Sequence, residues 1–323
     1  MRLATLRDGS RDGALVVVER TGRRFVPATG VAPTLQAALD AWERVRPALE
    51  ALSSRLHADA TLGRELDVTR LAAPLPRPYE WIDASSYLNH VRLVRKARSA
   101  APPADLETNP LVYQGGTSGM LAPTEALPLP DPAWGLDFEA EVAVVLGDVP
   151  QGTLARDAER HLRLLLVAND ATYRELVPGE LAKGFGFFQS KPATAFAPFA
   201  VTLDELGDAW RDGRVYQRLC TRLNGAVVGD VETGPEMHFS FCELVEHVAK
   251  TRGFTAGTIL GSGTVSNADP TRGVSCLVER RALETIERGA PVTAYLKSGD
   301  RVVIELFDAT GESVCGAIDQ VVG

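Results

Sequence analysis

Apolar and polar residues alternate where the chain opens, and MRLATL and ALVVVE flank the turn-forming segment DGSRDG, which predicts a β-hairpin. The period then changes. Leu35, Leu39, Trp42, Val45, Leu49, Leu52 and Leu56 recur at helical spacing, and Pro47 interrupts them, which predicts two short helices or one kinked helix packed on the hairpin. Three prolines in LAAPLPRP (71–78) make a stiff linker, so a small domain is expected to end near residue 72. Beyond it the period of two prevails. LDFEAEVAVVLG (136–147) alternates, and HLRLLLVAND (161–170) is a continuous apolar run closed by polar residues. LNGAVV (223–228) holds an Asn-Gly hairpin turn, and the stretch from Val292 to Phe307 alternates again. Ser240 and Glu243 form a capping box ahead of the helix FCELVEHVAK. The whole reads as a β-rich α+β architecture with neither a dinucleotide-binding glycine fingerprint nor a phosphate loop.

Composition narrows the class. A chain of 323 residues with 45% hydrophobic and 24% charged content can bury a sizeable core, divided here into 1–72 and 73–323. A formal net charge of −8 argues against nucleic acid or an anionic membrane as partner. Cys220, Cys242, Cys276 and Cys315 form no CxxC pair, which fits a reducing compartment. Residues 1–20 show no signal-peptide pattern and no apolar run is long enough for a membrane span, so a cytoplasmic protein is expected.

The candidate chemistry lies in acids. On the strand LDFEAEVAVV, Asp137, Glu139 and Glu141 share one face, and Leu136, Phe138, Ala140, Val142 and Val144 take the other. Carboxylates on one face repel, which a strand tolerates only with solvent or a cation between them. Two glutamates so spaced can aim at one hard cation of the magnesium or calcium type. A solvated outer sheet face fits the same pattern, and the strand alone does not decide between the two. Asn169 and Asp170 end the apolar run before them. In WIDASSYLNHVRLVRKAR, Asp83 is a plausible N-cap for a helix carrying Leu88, Val91, Leu93 and Val94, with His90 seven residues on. His57, His161, His238 and His247 have no comparable setting and read as structural.

In this order, the pieces resemble the fumarylacetoacetate hydrolase family. The family's acid and histidine seven apart match Asp83 and His90, and its acid-x-acid strand matches Glu139 and Glu141. Its Asn-Asp with a following arginine matches Asn169, Asp170 and Arg174, and its lysine before Gly-Phe matches Lys183 in AKGFGF. YQGG (113–116) resembles the substrate loop through Tyr113 and Gln114, GSGTVS (261–266) supplies Thr264, and SCLVER supplies Glu279. The likeness covers roughly residues 75–323 and implies a mixed β-roll catalytic domain behind a small N-terminal α/β domain. It further implies one divalent cation on Asp83, Glu139, Glu141 and Asp170, Mg²⁺ first, with Ca²⁺ or Mn²⁺ as alternatives. His90 oriented by Glu279 would then be the general base, Lys183 and Arg174 would offset negative charge, and Tyr113, Gln114 and Thr264 would touch substrate. The implied activity is hydrolysis of a carbon–carbon bond in a small 1,3-diketo acid by a homodimer, with fumarylacetoacetate expected. Acylpyruvate or fumarylpyruvate hydrolysis, or decarboxylation of the oxaloacetate type, are the alternatives. Three features depart from the pattern, the first being that the lysine segment continues as GFGFFQSKP, where many members have a Thr or Asp-Thr-Phe. Ser85 stands where the family has a tyrosine, and no clear match to its distal substrate arginine exists among Arg92, Arg95 and Arg98.

Overall fold

The computed structural model describes all 323 residues. Its backbone is an eleven-stranded mixed sheet. From one edge the order is Arg64–Glu65, Arg24–Pro27, Ala14–Val18, Arg2–Leu6, Ala200–Thr202, Leu162–Asn169, Ala140–Leu146, Ile259–Gly261, Trp81–Ala84 and Val112–Gly115, with Ala195–Phe196 pairing off this path onto Leu162–Asn169. Neighbours are antiparallel except Ile259–Gly261 and Trp81–Ala84, which run parallel. A second sheet orders Ala226–Glu232, Arg218–Leu223, Arg301–Phe307 and Ile318–Val321.

The apolar run at 162–169 is continuous because both faces of its strand are covered. Leu164, Leu166 and Ala168 join a core with Leu35, Trp42, Val45, Leu49 and Leu56 from the N-terminal helices. Leu165 and Val167 point into a larger core shared with Val302, Ile304 and Leu306 of the second sheet. The strand Ala140–Leu146 divides in the same way, Val142 and Val144 to one side and Ala143 and Val145 to the other. A solvated sheet face is therefore not what carries the acids. The N-terminal segment adds its hairpin to the edge of this sheet, with Arg2 opposite Val201 and Leu3 opposite Ala200, and it roofs one face with helices.

Local signals are met closely. Arg2–Leu6 pairs with Ala14–Val18 in the expected hairpin. Asn224 and Gly225, with φ of 52° and 84°, make the tight turn between Arg218–Leu223 and Ala226–Glu232. Ser240 caps Phe241–Val248 through Glu243 in both directions of a capping box. Three expectations need correction. The helical segment breaks at Asp40–Ala41, giving Leu35–Leu39 and Trp42–Ala58, and Pro47 sits inside the second helix. The C-terminal alternation forms a strand only over Arg301–Phe307, after a turn at Gly299 with φ of 86°. Asp83 is no N-cap: it lies on the buried strand Trp81–Ala84, and Tyr87 holds the cap position of Leu88–Ala97. No helix is long and apolar enough to cross a membrane.

Candidate metal centre and the histidine beside it

Three strands bring the acids together. Asp83 sits on Trp81–Ala84, in register with Gly261 on one side and Tyr113 on the other. Glu141 lies near the start of Ala140–Leu146, and Asp170 follows the end of Leu162–Asn169. One carboxylate oxygen from each of these three residues lies within 4.8 Å of the others. The approach depends on a missing side chain. A Cβ on Gly261 would fall 2.4 Å from Asp83 Oδ1 and 2.5 Å from the Trp81 ring, so that position must stay bare.

Each acid has a different surrounding. Asp83 Oδ1 accepts the Gly263 N–H at 3.0 Å. Burial, reinforced by Asp170, pushes its carboxyl up to about 8. Asp170 is well supplied: Oδ1 accepts from Thr194 Oγ1 at 2.6 Å, and Oδ2 accepts from Tyr113 Oη at 2.5 Å and from Lys191 Nζ. Glu141 is fully buried and neither of its carboxylate oxygens has a hydrogen-bond partner. Burial, then the nearby Asp83 and Asp170, holds its carboxyl well above the usual range.

Glu139 was expected as a fourth ligand. The structure places it beside the trio with both oxygens engaged, Oε1 by Arg174 Nη2 at 2.6 Å and Oε2 by Lys191 Nζ and by Thr172 Oγ1 at 3.2 Å. Burial alone would raise its pKa, but Arg174 and Lys191 outweigh that and hold it far below the usual carboxylate range. The Asn169 side chain fixes this arrangement by accepting the Glu139 N–H at 3.1 Å and donating to Gln320 at 3.0 Å. Asp137, next in the row, accepts the N–H groups of Leu277 and Val278 at 2.7 and 2.9 Å and pairs with Arg174 Nε at 2.9 Å. An acid is thus set at the N-terminus of Leu277–Arg288, where the helix dipole favours it.

That helix delivers Glu279. Its Oε1 lies 2.8 Å from His90 Nδ1, and His90 stands in the first turn of Leu88–Ala97, across from it. The pair orients the imidazole and leaves Nε2 directed elsewhere. Cys276, the residue before the helix, puts its sulfur 3.9 Å from the same Nδ1.

Two sequence-derived assignments fail on geometry. Lys183 is exposed in the loop after Val177–Leu181 and touches none of the acids. The lysine that does stand among the acids is Lys191, buried between Glu139 and Asp170. The loop is folded back because Glu180 accepts the backbone N–H groups of Phe188, Gln189 and Ser190, at 3.0, 2.6 and 3.1 Å. Gln114 also points away, since it neighbours Tyr113 on a strand, and its Nε2 donates to Glu80 at 3.0 Å on the surface. Thr264 is buried in the turn after Gly263. Sequence reasoning passed over Lys191, Thr194 and Cys276. Lys191 is carried to the acids by its place just before Ala195–Phe196, which pairs with the end of the Asn169 strand.

The charge balance asks for a cation. Asp83, Asp137, Glu139, Glu141 and Asp170 are buried carboxyls, while Arg174 and Lys191 are the only cations that pair with them. Glu141, unpartnered and facing two more acids, is a group that water-free burial does not tolerate alone. An all-oxygen trio of this kind suits a hard divalent ion.

Comparison with known proteins agrees with this architecture. Residues 81–322 match the family described as fumarylacetoacetate (FAA) hydrolase C-terminal, and residues 1–77 match fumarylacetoacetase N-terminal domain 2. The mitochondrial oxaloacetate tautomerase FAHD2B of Homo sapiens is 28% identical over 200 residues, which span 61% of this chain but only 55% of that protein. The fumarylacetoacetate hydrolase of Exiguobacterium antarcticum superposes with a TM-score of 0.70 at 20% identity, covering 100% of this chain and 99% of that one. The maleylpyruvate hydrolase of Sphingobium sp. SYK-6, solved in complex with manganese(II) and pyruvate, gives 0.66 at 17% identity and covers 100% of both chains. The chain belongs to the fumarylacetoacetate hydrolase family.

Proposed function

We propose that this protein is a divalent-cation-dependent hydrolase of a small 1,3-diketo acid, with fumarylacetoacetate or a shorter acylpyruvate as substrate. The observation that carries the reading is the His90–Glu279 pair, whose imidazole lies near enough to Glu139 to act on its charge, together with three converging acids. Asp83, Glu141 and Asp170 would hold the cation, Mg²⁺ first among the candidates, with Glu139 next to them. When bound, the ion supplies Lewis acidity to the keto oxygens of the substrate.

The rest falls to side chains of this chain. Glu279 accepts a hydrogen bond from the His90 Nδ1–H, which keeps that proton on Nδ1 and leaves Nε2 with a free lone pair to take a proton from water. Glu279 also stabilises the imidazolium that forms. Lys191 and Arg174 keep Glu139 ionised and present positive charge where an enolate would develop. Tyr113 and Thr194 fix the rotamer of Asp170 by hydrogen bonds to its two oxygens.

A second reading rests on the human relative, an oxaloacetate tautomerase. There the same histidine would move a proton between carbon and oxygen, and no water would be consumed. A panel of diketo acids and enol-oxaloacetate, assayed with Mg²⁺ and with a chelator, separates the two. Cleavage of a diketo acid that is lost on chelation supports hydrolysis. Tautomerisation without cleavage of any diketo acid would replace it.

A further inference from the structure

We infer that His90, Cys276 and Glu279 form a second cation site, selective for one thiophilic divalent ion such as Zn²⁺ and separate from the carboxylate centre. Nδ1, Sγ and a carboxylate oxygen of these residues all lie within 4.8 Å of one another. The sulfur is 3.9 Å and the oxygen 2.8 Å from Nδ1, so all three reach one tetrahedral ion with small side-chain adjustments. Cys276 and Glu279 are buried, while the His90 side chain remains 18% exposed and gives the ion a way in. Nothing proposed for the reaction uses the Cys276 sulfur.

Ligand softness sorts the two sites. Nitrogen with thiolate sulfur favours zinc, and Mg²⁺ prefers the all-oxygen trio of Asp83, Glu141 and Asp170. Arg174 lies near Cys276, but Asp137 and Glu139 already pair with its guanidinium, which lowers its opposition to a second cation. Binding releases the thiol proton to solvent as the metal–sulfur bond forms. It also occupies Nδ1, so the neutral ring must carry its proton on Nε2. An ion here would therefore silence the base, a consequence that rests on the role proposed for His90, whereas binding rests on the triad alone.

The test titrates Cd²⁺ into the full chain in excess Mg²⁺ and reads the sulfur-to-cadmium charge-transfer absorption. One equivalent per chain is expected in wild type and in Cys242→Ser, the band vanishing in Cys276→Ser and Cys276→Ala and being displaced by Zn²⁺. Serine is a favoured N-cap, so Cys276→Ser should fold, which a matched melting curve verifies. Zn²⁺ inhibition should weaken by more than roughly 10-fold in the same two variants. No band in wild type, or a band unchanged in Cys276→Ser, overturns the site. A band that needs Cys276 together with undiminished turnover upholds the site and refutes His90 as the base.

Discussion

Replacing Asp83 with asparagine should make the metal-free protein more stable at neutral and alkaline pH, while destroying its response to magnesium. The amide keeps an oxygen for the Gly263 N–H and cannot ionise. In the wild-type chain burial pushes the Asp83 carboxyl up to about 8, from an ordinary value of 3.8. The sign follows from linkage. A carboxyl whose folded pKa is raised stays protonated in the native state while the unfolded chain ionises, so its contribution is full below about pH 4 and is lost as pH rises towards 8. One proton costs about 1.4 kcal/mol per pH unit within that window. Between about pH 5 and pH 8 the wild type in EDTA should therefore lose up to roughly 4 kcal/mol relative to Asp83→Asn. Urea unfolding at several pH values measures the difference, and Mg²⁺ should abolish the wild-type loss because the ion replaces the proton. Equal pH profiles for the two proteins in EDTA, or equal stabilisation of both by Mg²⁺, would refute the reasoning.

Other outcomes are equally direct. His90→Ala should retain Mg²⁺ binding and lose about 10²–10⁴ in kcat, with a smaller loss for Glu279→Gln; near-normal turnover would remove hydrolysis from consideration. Lys191→Ala should weaken activity strongly, while Lys183→Ala should leave kcat unchanged and shift stability by less than about 0.5 kcal/mol. Arg174→Met strands Asp137 and Glu139 without their guanidinium and should cost roughly 3–5 kcal/mol in chemical denaturation, while a loss below 1 would show that the pair is already relaxed by water. Deleting residues 1–72 uncovers Leu164, Leu166, Ala143 and Val145, so the remainder should aggregate on expression. A soluble, Mg²⁺-binding 73–323 fragment would show that the roof is dispensable.

The acids were legible because strand alternation survives the gap between Leu136–Asp137 and Ala140–Leu146. Asp137, Glu139 and Glu141 still form one row, although Asp137 and Glu139 share Arg174 while Glu141 has no hydrogen-bond partner and faces two more acids. The His90–Glu279 pair was legible only through the order of motifs, since nothing near either residue announces the other. Lys191 was not legible. Its position depends on a loop that Glu180 gathers by accepting backbone N–H groups, and such bonds leave no pattern in side-chain identity. Asp83 read as a cap because an acid ahead of a helical stretch usually is one, but the parallel pairing of its strand with Ile259–Gly261 comes from the far end of the chain. The hairpin at the start was plain from alternation, while its partner in the sheet was not, because a hairpin's outer edge carries no address.

That outer edge has a consequence for how the molecule is made. Arg2 and Leu3 find their partners only when Ala200 and Val201 have been synthesised. At about 5–20 residues per second the N-terminal hairpin waits on the order of ten to forty seconds outside the ribosome with an unpaired strand edge and an uncovered apolar face. Closing so long a loop favours slow folding, and an open edge in the meantime invites pairing with another nascent chain. Yield on expression should therefore respond to the rate of translation and to chaperone supply more than to any change at the catalytic centre.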